Sequence, residues 1–335
     1  MKPKKKQNKY IFVLIMLLAI ALAGGIFTTA YVRQEEQDKT DGTIKVVTSF
    51  YPIYIATENV IGNNPNVTVQ NLSEPQTGCM HDYQLTPQDM ILLSNADIFV
   101  VNGGGIEGFL TEVAKEYPDL TIIYATDGLE LLGEEEHSEE EEVHEHEEAH
   151  GEEEHTHEYE EAHGEENAHA WMNTELYAGM VQNIAEGLSK ADRERQKTYQ
   201  ENAVKYCEKI QKLTDQIEEL KKELSGKDVI IFHEAYEYVA QQYGMHVAYC
   251  LDLDEERQVS AGEVAEVMEQ IQDNQVSVVL AEELYGKSMG DTVEKEGECK
   301  VYYLDSLTRG AYEKDSYLNV MQNNIDLMRE IAGKE

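Results

Sequence analysis

The sequence predicts an α/β protein of two parallel-sheet lobes joined by a long helix. Three observations predict it. Strand-like and helix-like segments alternate from Ile44 onward and again from Asp228. A stretch free of proline and glycine, Ala191 to Ser225, separates the two series. A chain of 335 residues is long enough for two packed domains.

In the first series, IKVVTSF from Ile44 reads as a strand and YPIYIATENVIG after it as a helix. NVTVQNL from Asn66, DIFVVNG from Asp97 and LTIIYA from Leu120 are further strands, apolar enough for a buried parallel sheet. Between the second and third, LTPQDMILLSNA puts Thr86 at an N-cap, Pro87 at N1 and Asp89 at N3, close to a capping box. Helical order resumes at Trp171. Val204, Ile210, Leu213, Ile217 and Leu220 then recur at helical spacing along the connector. At 1.5 Å per residue it spans roughly 50 Å before Gly226 ends it. The second series has the strands DVIIF (Asp228), HVAYC (His246), VSVVLA (Val276) and KVYYL (Lys300), with a closing helix from Ser316. The expected division is a signal peptide or signal anchor over 1–30, a linker over 31–43, and a first lobe over 44–188 that contains a disordered loop, 133–168. A connecting helix over 189–226 and a second lobe over 227–335 complete the chain.

The N-terminus carries an export address. Lys2, Lys4, Lys5 and Lys6 precede the apolar run YIFVLIMLLAIALAGGIFTTAYV, which holds the basic end in the cytoplasm and sends the rest out. Cleavage is expected after Ala23 or Ala30; uncleaved, the run would anchor the protein, since ~20 apolar residues span a bilayer. No cysteine lies in or just after the run, so no lipid anchor is expected there. The expected location is the outer face of the cytoplasmic membrane, or a secreted or periplasmic one. Export permits disulfides, and among Cys79, Cys207, Cys250 and Cys299 the expected pair is Cys250–Cys299, both flanking strands of the second lobe.

The tract from Gly133 to Trp171 holds 18 glutamates, no Lys, Arg or Asp, and eight of the eleven histidines. It supplies less than half of the net charge of −39, so the folded part is acidic too, and such a surface repels nucleic acid. His137, His144, His146, His150, His155, His157 and His163 lie where no apolar periodicity supports a fold, and they suit weak auxiliary metal binding. HEEAH (His146 to His150) matches the zinc-protease pattern only by composition, because that motif needs a stable helix with an apolar face. NGGG from Asn102 reads as a tight turn after a strand and lacks the spacing of a phosphate loop.

Ligands of open parallel sheets bind beyond the carboxyl ends of the strands, which directs attention to four residues. His81 follows the second strand across a loop, His169 ends the tract, His233 follows VIIF, and Asp305 follows VYYL. Two fall in each lobe, and three imidazoles with one carboxylate make a tetrahedral zinc set. Manganese prefers oxygen donors and is the alternative ion. Four protein ligands leave no position for an activated water, so binding rather than catalysis is expected. Glu234, Glu282 and Glu283 also stand at strand ends as rival carboxylates, His246 begins a strand and is expected at the surface, and Trp171 is expected to wall the cleft.

At these residues the chain resembles the extracellular lipoproteins and periplasmic metal-binding proteins of ABC importers for zinc and manganese. The segments that carry the resemblance are VVTSFYPIY, HDYQLTPQDMILLSNADIFVVNGGGIE, AHAWMNTELY, FHEAYEYVAQQYGM and LDSL with SYLNVMQNNIDLM. The resemblance implies two lobes joined by a long rigid helix with the metal site in the cleft between them, His81 and His169 as first-lobe ligands, and His233 and Asp305 as second-lobe ligands. It also implies a monomer working with a membrane permease and its ATPase, and a histidine at 233 points to zinc. The chain departs from the family pattern at Asn167-Ala168, where Asp-Pro is usual, and at Ser306, where zinc members have proline. A passive surface metal buffer and a zinc hydrolase are the competing classes.

Overall fold

The computed structural model describes residues 13–18, 25, 43–73, 80–81, 83–133, 166–253, 257, 259–297 and 299–333. Most of the expected export segment, most of the linker, Cys79 and the seven tract histidines lie outside the described residues. Among the described residues no helix is long and apolar enough to cross a membrane.

The first lobe runs β1 (Ile44–Thr48), α1 (Tyr51–Ile61), β2 (Val67–Asn71), α2 (Pro87–Ser94), β3 (Ile98–Val101), α3 (Leu110–Glu116) and β4 (Thr121–Tyr124). Its sheet is wholly parallel in the order β2-β1-β3-β4. A two-stranded antiparallel ribbon, β5 (Leu132–Gly133) with β6 (Glu166–Asn167), joins the two ends of the Glu/His tract. After it come a 3-10 turn (Ala170–Met172), α4 (Thr174–Ala191) and the long α5 (Gln196–Leu224). The second lobe runs β7 (Asp228–Ile231), α6 (Ala235–Tyr243), β8 (His246–Cys250), α7 (Ala261–Asp273), β9 (Val278–Ala281), α8 (Glu283–Glu296), β10 (Lys300–Tyr303) and α9 (Ser316–Ile331). Its sheet is also parallel, in the order β10-β9-β7-β8.

Burial follows position in the sheet. β3 and β9 are buried at every residue, whereas edge strand β8 is not. Val46, Phe99, Val100 and Val113 belong to one continuous core with Tyr177, Ile210, Ile217 and Ile325, so the first lobe, α4, α5 and α9 share an interior. A separate cluster around Ile230, Phe232, Val267, Val279 and Met289 fills the outer half of the second lobe. At Asn102 to Gly105 the chain makes the expected tight turn, with φ of 86° at Gly103, 65° at Gly104 and 86° at Gly105. Its amides are already engaged: Asn102 and Gly103 donate to the buried carboxylate of Glu107 at 2.7 and 3.0 Å.

Two expectations are corrected. The long helix starts at Gln196, not in the stretch before it, and its 29 residues span about 43 Å at 1.5 Å each. No proline or glycine marks the break. Asp192 makes it, accepting from Arg195 at 2.9 Å and from the Tyr199 hydroxyl at 2.7 Å, which folds a turn between α4 and α5. Among the described residues the expected Cys250–Cys299 disulfide is absent, and Cys207, Cys250 and Cys299 are free thiols. Strand order explains it: Cys250 ends β8 and Cys299 precedes β10, the two opposite edges of the sheet. Three strand spacings separate those edges, about 14 Å at 4.7–4.9 Å each, and a disulfide needs Cα atoms within about 7 Å.

Candidate metal centre

Each ligand-type side chain is placed by local structure. His81 stands just before the helix α2, whose start is fixed by a complete capping box: Asp89 N–H donates to Thr86 Oγ1 and Thr86 N–H to the Asp89 carboxylate. The Tyr83 hydroxyl also donates to Asp89 at 2.8 Å, and the Tyr83 amide to Met80, which closes the turn around His81. His169 precedes the 3-10 turn, whose Met172 amide donates to its carbonyl. Asn102, at the end of β3, donates to the carbonyl of Ala168 at 2.9 Å and so holds the segment from the first lobe. His233 follows Phe232 at the end of β7 and is tied by Ala235, whose amide donates to His233 Nδ1 at 2.9 Å.

Across the cleft the residues of both lobes meet. His81, His169 and Glu234 each bring a donor atom within 4.8 Å of the others. Glu234 Oε1 lies 3.4 Å from His81 Nε2 and 3.3 Å from His169 Nδ1. The ring of His233 stands edge-on to His169 with centroids 4.9 Å apart, and His81 is 5.4 Å from His169. Access is graded: the side chain of His81 is 39% exposed and that of Glu234 28%, while His169 is buried. Burial, and then the neighbouring His233 and His81, push the imidazole of His169 well below its ordinary pKa, so the ring stays neutral and its lone pair stays available. The hydrogen bond from His81, against the opposing effect of burial, holds the Glu234 carboxylate below the usual range.

Imidazole is a borderline donor that suits zinc, and zinc also accepts a carboxylate oxygen. Two donors on a tetrahedral zinc with bonds of about 2.0–2.2 Å stand about 3.3–3.6 Å apart, and His81 Nε2 and Glu234 Oε1 are already 3.4 Å apart.

Over residues 46–331 the chain matches the family model described as zinc-uptake complex component A, periplasmic. The chain belongs to this family. It is 27% identical over 334 residues to the zinc-binding protein AdcA of Streptococcus pyogenes serotype M3, covering 96% of this chain and 62% of that protein. It therefore spans less than two thirds of the length of that relative. It is 28% identical over 326 residues to the high-affinity zinc uptake system protein ZnuA of Bacillus subtilis, covering 96% of each. Among solved structures, Zn(II)-bound AdcA from Streptococcus pneumoniae aligns with a TM-score of 0.70 at 24% identity over 88% of this chain and 59% of that one. The Bacillus subtilis lipoprotein YcdH aligns with a TM-score of 0.66 at 23% identity over 86% of this chain and 98% of that one. These two likenesses establish the two-lobed fold.

Within this family fold, the four residues singled out from sequence separate into three groups. His81 and His169 come together. His233 packs beside them, but its Nδ1 accepts from an amide, so the neutral ring carries its proton on Nε2. Asp305 is outside the close group of His81, His169 and Glu234; its Oδ1 accepts from the Leu307 amide at 2.8 Å, and its own amide and carbonyl are clamped by Asn324. Leu307 sits at φ 61°, an uncommon value for a non-glycine residue, at the apex of that turn. Partial burial raises the Asp305 carboxyl, offset by the Leu307 amide and Arg309. Of the rival carboxylates, Glu234 joins the histidines and Glu282 is buried near Arg309. Trp171 does wall the cleft, donating to the Ser306 carbonyl at 2.9 Å, and His246 is exposed beside Asp228. Sequence reading passed over Glu237. Its one signal was its place a single helical turn after Glu234, on the same face.

Proposed function

We propose that this protein binds one zinc ion tightly in the cleft between its lobes, outside the cytoplasm, and delivers it to the permease and ATPase of an ABC importer. The reading rests on the convergence of His81 and His169 with a second-lobe carboxylate, beside the ring of His233. Family membership supports it, as do relatives named for zinc binding and zinc uptake. The ligands are His81 and His169 from the first lobe and His233 and Asp305 from the second. His233 joins through Nε2 as the neutral tautomer protonated on Nδ1, so its proton moves from Nε2 to Nδ1 and the Ala235 amide contact is given up. A second reading of the carboxylate is favoured by one distance, the 3.4 Å between Glu234 and His81. The seven tract histidines, which lie outside the described residues, would serve as weak auxiliary metal ligands, a reading supported by composition.

The test is a zinc titration of the full chain against a competing chelator strong enough to empty weak sites. His233→Ala should lose affinity on the order of a hundredfold or more, and the Asp305→Asn and Glu234→Gln variants decide which carboxylate binds. Manganese should bind more weakly in the same assay. Wild-type affinity in His233→Ala would overturn the ligand set.

A further inference from the structure

We propose that Asn167 and Glu237 form a positioning relay that selects which ring nitrogen of His169 faces the ion. The inference rests on the zinc reading above. Asn167 is a buried side chain on β6, two residues before His169. The main-chain N–H of His169 donates to Asn167 Oδ1 at 3.1 Å. An amide N–H can only donate, so the Asn167 oxygen, not its NH2, faces His169. His169 Nδ1 lies 2.9 Å from that same oxygen. Nδ1 also lies 3.3 Å from Glu234 Oε1; facing two acceptors, of which Asn167 is the nearer, it must carry the proton, and the lone pair is left on Nε2.

The other end of the side chain gives the same orientation. Asn167 Nδ2 donates to the Glu234 carbonyl at 3.0 Å and to the Glu237 carboxylate at 2.9 Å. Both partners are acceptors, so the amide cannot be reversed without placing oxygen against oxygen twice. Glu237 thus stands behind the amide as a carboxylate stands behind a metal-bound imidazole, one residue further out, and polarises it. The neutral amide takes the place of a charged acceptor, and the negative charge comes from α6 in the second lobe. Tyr238, the next residue of α6, holds the same strand: its hydroxyl donates to the Asn167 carbonyl at 2.6 Å and accepts from the Leu132 amide at 3.0 Å. A first-lobe ligand is therefore oriented by a second-lobe helix. His233 provides the contrast, since its Nδ1 accepts where that of His169 donates.

The test uses the metal-free and zinc-loaded full chain. Long-range proton–nitrogen NMR of the imidazoles should find His169 as the Nδ1–H tautomer in the wild type; Asn167→Ala should shift the population toward Nε2–H, and further when Glu234→Gln also removes the carboxylate 3.3 Å from Nδ1. Zinc affinity in Asn167→Ala should drop about 10–100-fold. Asn167→Asp keeps the acceptor but opposes two carboxylates, and should weaken binding as well. Asn167→Asp combined with Glu237→Gln removes the clash and restores a carboxylate behind the ring, so affinity should recover to within about threefold of wild type, which general damage to folding would not do. An unchanged tautomer and affinity in Asn167→Ala, or a double variant no better than Asn167→Asp, would overturn the relay. His169→Ala is the control: retained tight binding there would instead overturn the zinc site on which the relay depends.

Discussion

Tyr177 and Tyr317 lie face to face, their ring centroids 3.6 Å apart and their planes 15° apart. One ring is on α4 and the other on α9, the last helix of the chain, so the stack ties the C-terminus to the segment that carries His169. The Tyr317 hydroxyl donates to the Trp171 carbonyl at 3.0 Å and that of Tyr177 to the Pro52 carbonyl at 3.0 Å. Both rings are fully buried.

Tyr317→Ala should therefore destabilise the protein by about 3–5 kcal/mol, the range for removing a large buried ring. Tyr317→Phe keeps the stack and should cost only about 0.5–1.5 kcal/mol for the lost hydrogen bond. Thermal unfolding of both variants checks the ratio, and equal losses would mean that the hydroxyl rather than the ring holds α9.

Gly187 gives a case where two effects oppose each other. A Cβ there would stand 2.5 Å from Ile123 Cγ2 and 2.8 Å from Cδ1, where α4 crosses β4. Alanine gains about 1 kcal/mol in helix propensity, but overpacking costs about 1–3 kcal/mol. We expect Gly187→Ala to be less stable than wild type in urea unfolding.

Asp192 should contribute a pH-dependent part of the stability. Burial works to raise its carboxyl, but the hydrogen bonds from Tyr199 and Arg195 outweigh it and hold the group below its ordinary value of 3.8. A depressed carboxyl stabilises the fold above its unfolded pKa and loses that contribution as pH falls through the folded one. Asp192→Asn should thus melt lower than wild type at neutral pH, with the gap narrowing below pH 3.8. A gap that is constant across that window would show that the carboxylate's charge is irrelevant.

Thiol chemistry tests the corrected pairing. Alkylation in denaturant without reductant should modify Cys207, Cys250 and Cys299, as peptide masses would report. A linked Cys250–Cys299 peptide would contradict the strand order.

Much of the candidate site was legible because strand ends are local features. His233 was placed by VIIF before it, and the region of His81 by the Thr86-Pro87-Asp89 cap after it. The break at Asp192 was not legible, because a side-chain hydrogen bond made it where no helix-breaking residue stood. Glu234 was one of three rival carboxylates in sequence, and only its approach to His81 separates it from Glu282 and Glu283.

The alternation of apolar runs with capped helices determined two parallel sheets, a long helix between them and histidines at strand ends, since burial patterns and caps are properties of neighbouring residues. Tertiary structure alone decided three matters. It set Cys250 and Cys299 on opposite edges of one sheet. It brought Glu234, and not Glu282 or Glu283, close to His81 and His169. It also joined Asn167 to Glu237, 70 residues further along, and so determined which nitrogen of His169 holds its proton. Each depends on which strands and helices become neighbours in space, and a hydrogen bond of 2.9 Å forms only after the two lobes have met.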